Sequence, residues 1–149
     1  MKVKIKKLHP DAVIPKYQTK DSSGFDLHAL EEVIIFPGST KLVRTGLAVA
    51  VQEGHELQIR PRSGLSLKSG LRIANSPGTV DPDYRGEVCI IIENTAKTIP
   101  DSVGYPYEIK KGERIAQGVI CPIVQAEFEE VEELEETERG QNGFGSTGA

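Results

Sequence analysis

Apolar residues recur in short runs along the chain: VKIKKL (3–8), EVIIF (32–36), KLVRTGLAVAV (41–51), ELQIR (56–60), VCIIIEN (88–94) and RIAQGVICPI (114–123). Several alternate apolar with polar positions, the two-residue period of a half-buried strand. Others are nearly all apolar, as strands covered on both faces are. Clusters of Gly, Pro and Asp separate the runs, and with 15 Gly and 9 Pro no long helical stripe survives outside residues 127–138. The pattern predicts an all-β fold, a jelly-roll-like distorted β-barrel or sandwich of many short strands. One short helical turn is expected at SGLSLKS (63–69), with Ser63 as its cap and its free amides facing whatever lies in front.

The 149 residues suit one domain, large enough to bury a core without disulfides or metals. Both cysteines lie in apolar runs, Cys89 in VCII and Cys121 in VICPI, and are expected as small core residues. That usage fits a reducing compartment. The basic start, MKVKIKKLHP, lacks the apolar stretch of a signal peptide, and no segment has transmembrane length, so a cytoplasmic protein with no membrane partner is expected.

Charge is unevenly distributed. Residues 127–138, EFEEVEELEETE, hold eight of the 22 acidic groups and no basic one, which leaves the rest of the chain with 18 basic against 14 acidic groups. A body that mildly basic suits a small anion but is too weakly charged to hold nucleic acid stably. The chain therefore divides into a β domain (1–126), an acidic linker (127–138) and a glycine-rich arm, RGQNGFGSTGA (139–149), expected to be flexible when empty. Phe128, Val131 and Leu134 have the spacing of a weak helical stripe, although Phe128 is expected to finish a strand.

Four further segments mix glycine with acids, arginines or hydroxyls: SSGFDL (22–27), PRSGLS (61–66), NSPGTVDPDYRGE (75–87) and GERIAQ (112–117). Taken singly, each reads first as a turn or strand end. PRSGLS also offers a guanidinium, a hydroxyl and a glycine at a helix start, a combination that binds phosphate oxygens. In TVDPDYRG a carboxylate and a ring at the end of a hairpin are suited to positioning a water and packing on a sugar. Asp26 either closes a turn or supports a magnesium shell, and GERIAQ pairs Arg114 with Gln117 at a strand entry. His9, His28 and His55 have no ligand spacing. The arm has phosphate-loop composition but no Lys followed by Ser or Thr, so it departs from the P-loop pattern.

In order and spacing, SSGFDL, PRSGLS, GTVDPDYRGE, GERIAQ and RGQNGFGSTG resemble the five motifs of the trimeric dUTPase family, the deoxyuridine triphosphate nucleotidohydrolases. The resemblance runs from residue 22 onward. It implies a jelly-roll-like subunit, a homotrimer with active sites at subunit interfaces, and Mg²⁺-dependent hydrolysis of dUTP to dUMP and pyrophosphate. That reaction limits uracil incorporation into DNA and supplies dUMP for dTTP synthesis. Carried over by motif, Asp81 orients and activates the water that attacks the α-phosphate, and Tyr84 stacks beneath the deoxyribose and crowds out a 2'-hydroxyl. Asn75 and the backbone after it read uracil, while Arg62, Ser63, Gly64 and Gln117 hold the phosphates. Asp26 supports the metal-water shell or the site architecture. Arg139, Phe144, Gly145, Ser146 and Thr147 form a closing arm, with the ring over uracil and hydroxyls and amides on the γ-phosphate.

Two positions depart from the family pattern: Phe25 stands where a tyrosine is common, and Asn142 where the arm usually has glycine. Two other readings compete. The related dCTP deaminases have a motif pattern that is absent here, and a non-enzymatic nucleotide-binding module would not need the full set of proposed catalytic residues.

Overall fold

The computed structural model describes residues 1–96 and 105–142. Ten strands and one helix follow in order: β1 (Lys4–Lys7), β2 (Phe25–His28), β3 (Val33–Ile35), β4 (Thr40–Ala50), β5 (His55–Arg60), α1 (Ser63–Lys68), β6 (Leu71–Ile73), β7 (Gly78–Val80), β8 (Glu87–Asn94), β9 (Tyr107–Ile109) and β10 (Arg114–Pro122). One four-stranded sheet has the order β1-β4-β8-β6 and the other β2-β10-β5-β7, with β3 and β9 as a separate pair. Every pairing is antiparallel. The expected all-β fold is present as two open sheets enclosing one core, the sandwich form of a jelly roll. Among the described strands no sheet closes into a barrel.

Strand alternation fixes which residues enter that core. Along β8, Val88, Ile90, Ile92 and Asn94 are buried, while Glu87, Cys89, Ile91 and Glu93 face the other way and are half-buried. Cys89 therefore sits on the outward face of its apolar run, and Cys121 is also only half-buried, so neither is the core residue its neighbours suggested. The inner faces contribute Val43, Leu47 and Val49 from β4, Leu57 and Ile59 from β5, Leu27 from β2 and Ile115 from β10 to one cluster. Each such side chain contributes about 1.5–3 kcal/mol by leaving water. Asn94, the polar residue on the inward face of β8, donates its amide to Ile35 O at 3.0 Å. Among the described residues no helix is long and apolar enough to cross a membrane.

Three local expectations need correction. The helix at 63–68 has Arg62, not Ser63, in its capping position, with extended backbone and no side-chain cap. The residues before and after TVDPDYRG do not form a hairpin: β6 pairs with β8 in one sheet, whereas β7 pairs with β5 in the other. The segment NSPGTVDPDYRGE thus leaves β6, pairs with β5 of the other sheet through β7, and returns to β8, the antiparallel partner of β6. Phe128 finishes no strand and joins no helix, since β10 ends at Pro122 and residues 123–142 hold no regular element. Eight glutamates in twelve residues repel one another, and that outweighs the weak apolar spacing.

Two glycines let the sheets take this form. Gly46 has φ +70 at the register shift between Arg44 and Ala48, a left-handed conformation that a β-carbon resists, and its amide donates to Glu87 Oε1 at 2.7 Å. Gly118 lies opposite Phe25, and a β-carbon there would come 2.5 Å from Phe25 Cε2 and 3.0 Å from Leu57 Cδ1. The buried Phe25 ring fills the space that glycine leaves and meets Tyr17 edge to face at 5.6 Å. The missing tyrosine hydroxyl at position 25 therefore belongs to a ring already held by packing.

Gly118→Ala should accordingly lower the unfolding free energy by about 1–3 kcal/mol, the usual cost of overpacking a tight site. Urea denaturation measures it, and Phe25→Leu in the same chain should restore part of the loss. Wild-type stability in Gly118→Ala would refute the packing assignment.

Candidate active site

Two strands and the start of the helix converge on one carboxylate. Asp26 on β2 is only 8% exposed. Its Oδ1 accepts from Arg62 Nε at 2.8 Å, and its Oδ2 accepts from Arg114 Nη1 at 3.2 Å and Gln18 Nε2 at 3.1 Å. Arg62 also donates from Nη1 to Arg114 O at 3.1 Å, which ties the residue before α1 to the first residue of β10. A buried carboxylate needs such partners to stay charged. With three donors on its two oxygens, Asp26 organises the arginines, as the architectural role implied for it requires.

A cavity of about 330 Å³ opens beside this cluster, lined by Gln18, Asp26, Arg62, Ser63, Arg114 and Gln117 together with Gly24 and Gly64. Gln117 donates from Nε2 to Pro61 O at 2.8 Å, and a β-carbon on Gly24 would lie 2.6 Å from Gln117 Oε1. Glycine at 24 is thus needed for the glutamine to sit there. Two guanidiniums against one carboxylate leave the cavity net positive, with a hydroxyl and glycine backbone at its edge, and that suits phosphate oxygens. Four of the expected phosphate residues, Arg62, Ser63, Gly64 and Gln117, therefore come together. Arg114 and Gln18 join them without having been assigned a role from the sequence. Arg114 was visible in GERIAQ as the arginine paired with Gln117 at a strand entry, whereas nothing local to Gln18 marks it.

His28, two residues along β2 on the same face as Asp26, pairs in register with Arg114. Its Nδ1 is buried without a hydrogen-bond partner. Burial, and secondarily the nearby Arg114 and Arg62, holds its pKa below the ordinary histidine range against the opposing pull of Asp26.

The second group of candidates lies on the inter-sheet crossing. Asp81 and Asp83 line a separate cavity of about 780 Å³ with Val51, Glu53, Arg85 and Gln125. Tyr84 is 45% exposed and donates from its hydroxyl to Glu87 O at 3.1 Å. Its amide donates to Asp81 O at 3.2 Å, which closes the DPDY turn. Asn75 lies at the other end of the crossing, where a β-carbon on Gly78 would be 3.2 Å from its Nδ2. The crossing is anchored at each end in sheet structure, and so holds a carboxylate and a ring more firmly than a free loop does.

Within one chain these two groups do not meet, for the cavity at Asp81 shares no lining residue with the one at Arg62. Arg139 is exposed and donates to Asn142 O at 3.1 Å, with no contact to either cavity. Asn142 closes this turn through its amide on Arg139 O at 3.1 Å. Phe144, Gly145, Ser146 and Thr147 lie outside the described residues. No group of three His, Cys, Asp or Glu among the described residues is placed to hold a metal ion by itself.

Comparison with known proteins gives a consistent result. The family model for dUTPase matches residues 10–148. The deoxyuridine 5'-triphosphate nucleotidohydrolase of Nautilia profundicola is 57% identical over 148 residues, covering 99% of both chains. That of Picosynechococcus is 49% identical over 148 residues, again covering 99% of both. Among solved structures, the dUTPase of Staphylococcus bacteriophage 80alpha with dUPNHPP superposes with a TM-score of 0.93 at 32% identity, covering 99% of each chain. A mutant dUTPase from phage phi11 of S. aureus, in which a structural Mg(II) ion is coordinated, gives 0.84 at 28% identity over 91% of this chain and all of that one.

Asp26→Asn tests the centre of the cluster. It should lower the unfolding free energy by about 1–3 kcal/mol, discounted from a fully buried pair because the Arg62 and Arg114 side chains are 26% and 48% exposed. Equal urea midpoints for variant and wild type would show that the arginines do not depend on it.

Proposed function

The chain belongs to the dUTPase family, and from that premise we propose that it hydrolyses dUTP to dUMP and pyrophosphate with Mg²⁺. In the cell the reaction would limit uracil incorporation into DNA and supply dUMP for dTTP synthesis. The observation that carries the reading is the positive cavity organised by Asp26, where Arg62, Ser63, Gly64 and Gln117 stand together as a phosphate-binding set.

Splitting a phosphoanhydride asks for in-line positioning and charge neutralisation more than for covalent chemistry. Arg62 and its neighbours supply the first neutralising charges. Asp81 orients the attacking water toward the α-phosphate and takes its proton, while Tyr84 lies beneath the deoxyribose and Asn75 with the following backbone reads uracil. Among the described residues no carboxylate cluster holds a metal by itself, which fits a magnesium ion that arrives on the triphosphate, since Mg²⁺ favours phosphate oxygens and keeps several waters. Bound there, it would neutralise further charge on the leaving pyrophosphate. Arg139, Phe144, Gly145, Ser146 and Thr147 close over the nucleotide, the ring on uracil and the hydroxyls and amides on the γ-phosphate.

We further propose a homotrimer in which each site is assembled from more than one chain. The separation of the Asp81 and Arg62 cavities in a single subunit supports this. So does the segment after β10, where Val124 and Phe128 are each 95% exposed among the described residues.

Asp81→Asn should leave nucleotide binding in place and lower turnover at least a hundredfold, within the usual range for a lost general base. Pyrophosphate release near the wild-type rate would overturn its assignment. Removing residues 139–149 should likewise cripple hydrolysis and leave the sedimentation behaviour of the oligomer unchanged; full activity in the shortened chain would sink the closing-arm reading. Assaying wild type against all deoxynucleoside triphosphates, with ammonia measured on dCTP, separates the pyrophosphatase from a deaminase and from a module that only binds.

A further inference from the structure

Tyr84 is the residue by which the proposed site would tell deoxyribose from ribose, and its ring does not stand free. The hydroxyl bond to Glu87 O lays the ring back across the two residues that follow it. At Gly86, between them, a β-carbon would stand 2.5 Å from Tyr84 Cζ and 3.0 Å from Cε2, with the hydroxyl oxygen nearer still. Gly86 does not adopt a left-handed conformation, so the ring and not the backbone requires glycine here.

Glu87 fixes the other end of this seat. Its side chain is 18% exposed. Oε1 accepts from Gly46 N at 2.7 Å and Oε2 from Arg44 Nε at 3.0 Å, so the carboxylate spans the register shift between β4 and β8. The Arg44 guanidinium is correspondingly held in its charged form. The carbonyl that receives the tyrosine hydroxyl thus belongs to a residue whose side chain is pinned into the neighbouring strand. A displacement of that carbonyl would strain the bulge.

We propose that Gly86 and Glu87 are positioning residues for Tyr84, seating its ring at the angle that sets how strictly a 2'-hydroxyl is excluded; this rests on the reading of Tyr84 given above. Rejection by sterics works only against a wall that does not give. A ring 45% exposed and held by one rotamer well alone would swing aside for an extra oxygen. Leaned onto a bare Cα and bonded to a fixed carbonyl, it cannot swing without losing both contacts. Neither Gly86 nor Glu87 needs to touch the nucleotide for this.

The test compares kcat/KM for dUTP and UTP in the full-length protein. Gly86→Ala should lower the dUTP-over-UTP ratio at least tenfold, and in a Tyr84→Ala background the same change should alter the ratio less than twofold. Glu87→Ala should lower the ratio as well, whereas Glu87→Gln, which keeps an acceptor for Gly46, should preserve most of it. Tyrosine-ring carbon NMR on the nucleotide-free protein reads the seat without activity: Gly86→Ala should move the Tyr84 resonances and leave Tyr17, Tyr105 and Tyr107 in place. Unmoved Tyr84 resonances, an unchanged ratio, or an equal effect in the Tyr84→Ala background would each overturn the proposal. A wild type that hydrolyses UTP as well as dUTP would instead overturn the role given to Tyr84, and the NMR result would still decide the seat.

Discussion

A single carboxylate determines where the cationic side of the cavity can form. Arg62 and Arg114 lie on different elements, and two guanidiniums brought side by side repel each other by several kcal/mol at the effective dielectric of a protein surface. Asp26 between them turns that repulsion into two attractions and draws in Gln18 as well. Because Asp26 is on β2, Arg114 on β10 and Arg62 immediately before α1, the same contacts tie the edge of one sheet to the start of the helix. The cavity is therefore net positive before any ligand arrives, and its walls do not have to be ordered by binding. That preorganisation is what a polyphosphate site requires, since charge built in advance need not be rearranged during the reaction.

The crossing that carries Asp81 and Tyr84 is constrained differently. Its one regular element, β7, anchors its middle in one sheet while β6 and β8 anchor its two ends in the other. The Glu87 carboxylate, inserted at the bulge of β4, makes the exit from the crossing part of the strand framework. Irregular backbone held at three points can present a turn such as DPDY with little freedom, and the proposed water and sugar positions both depend on that.

Much of this was legible in the sequence, for identifiable reasons. Six apolar runs became strands because their length and alternation exceed what a turn can supply. Four strands escaped: β2, β6, β7 and β9 have three or four residues each and, unlike the equally short β1 and β3, lie in no longer apolar run, and β2 lies inside a segment whose glycine and serines signal a turn. The residues of the proposed phosphate set, and Asp26 with them, were legible as residue types in motifs, but the contacts that join Asp26 to the two arginines were not. The link from Asp26 to Arg114 spans 88 residues, and only the pairing of β2 with β10 brings them together. The hairpin expected at TVDPDYRG proved to be a crossing between sheets for a related reason. Local sequence marks where strands stop and cannot say whether neighbours in the chain share a sheet. The outward position of Cys89 could have been read from the alternation of β8, had the run not been apolar on both faces.

The acidic segment completes the account of how two separated cavities could serve one reaction. In a domain of this length the radius of gyration is about 15 Å, whereas twelve residues drawn out by mutual repulsion reach about 40 Å. Residues 127–138 carry eight glutamates, have no regular structure and are exposed throughout. A neutral tether of the same length would contract toward its own subunit. The charged one is biased outward, so Arg139 and the residues beyond it can be delivered to a cavity on a neighbouring chain. The cost is a negative charge near an anionic substrate, but screening confines that repulsion to about 8–10 Å at physiological salt. In a tether much longer than the screening length, only the last glutamates before Arg139 lie close enough to the phosphates to oppose binding, while the others keep it extended.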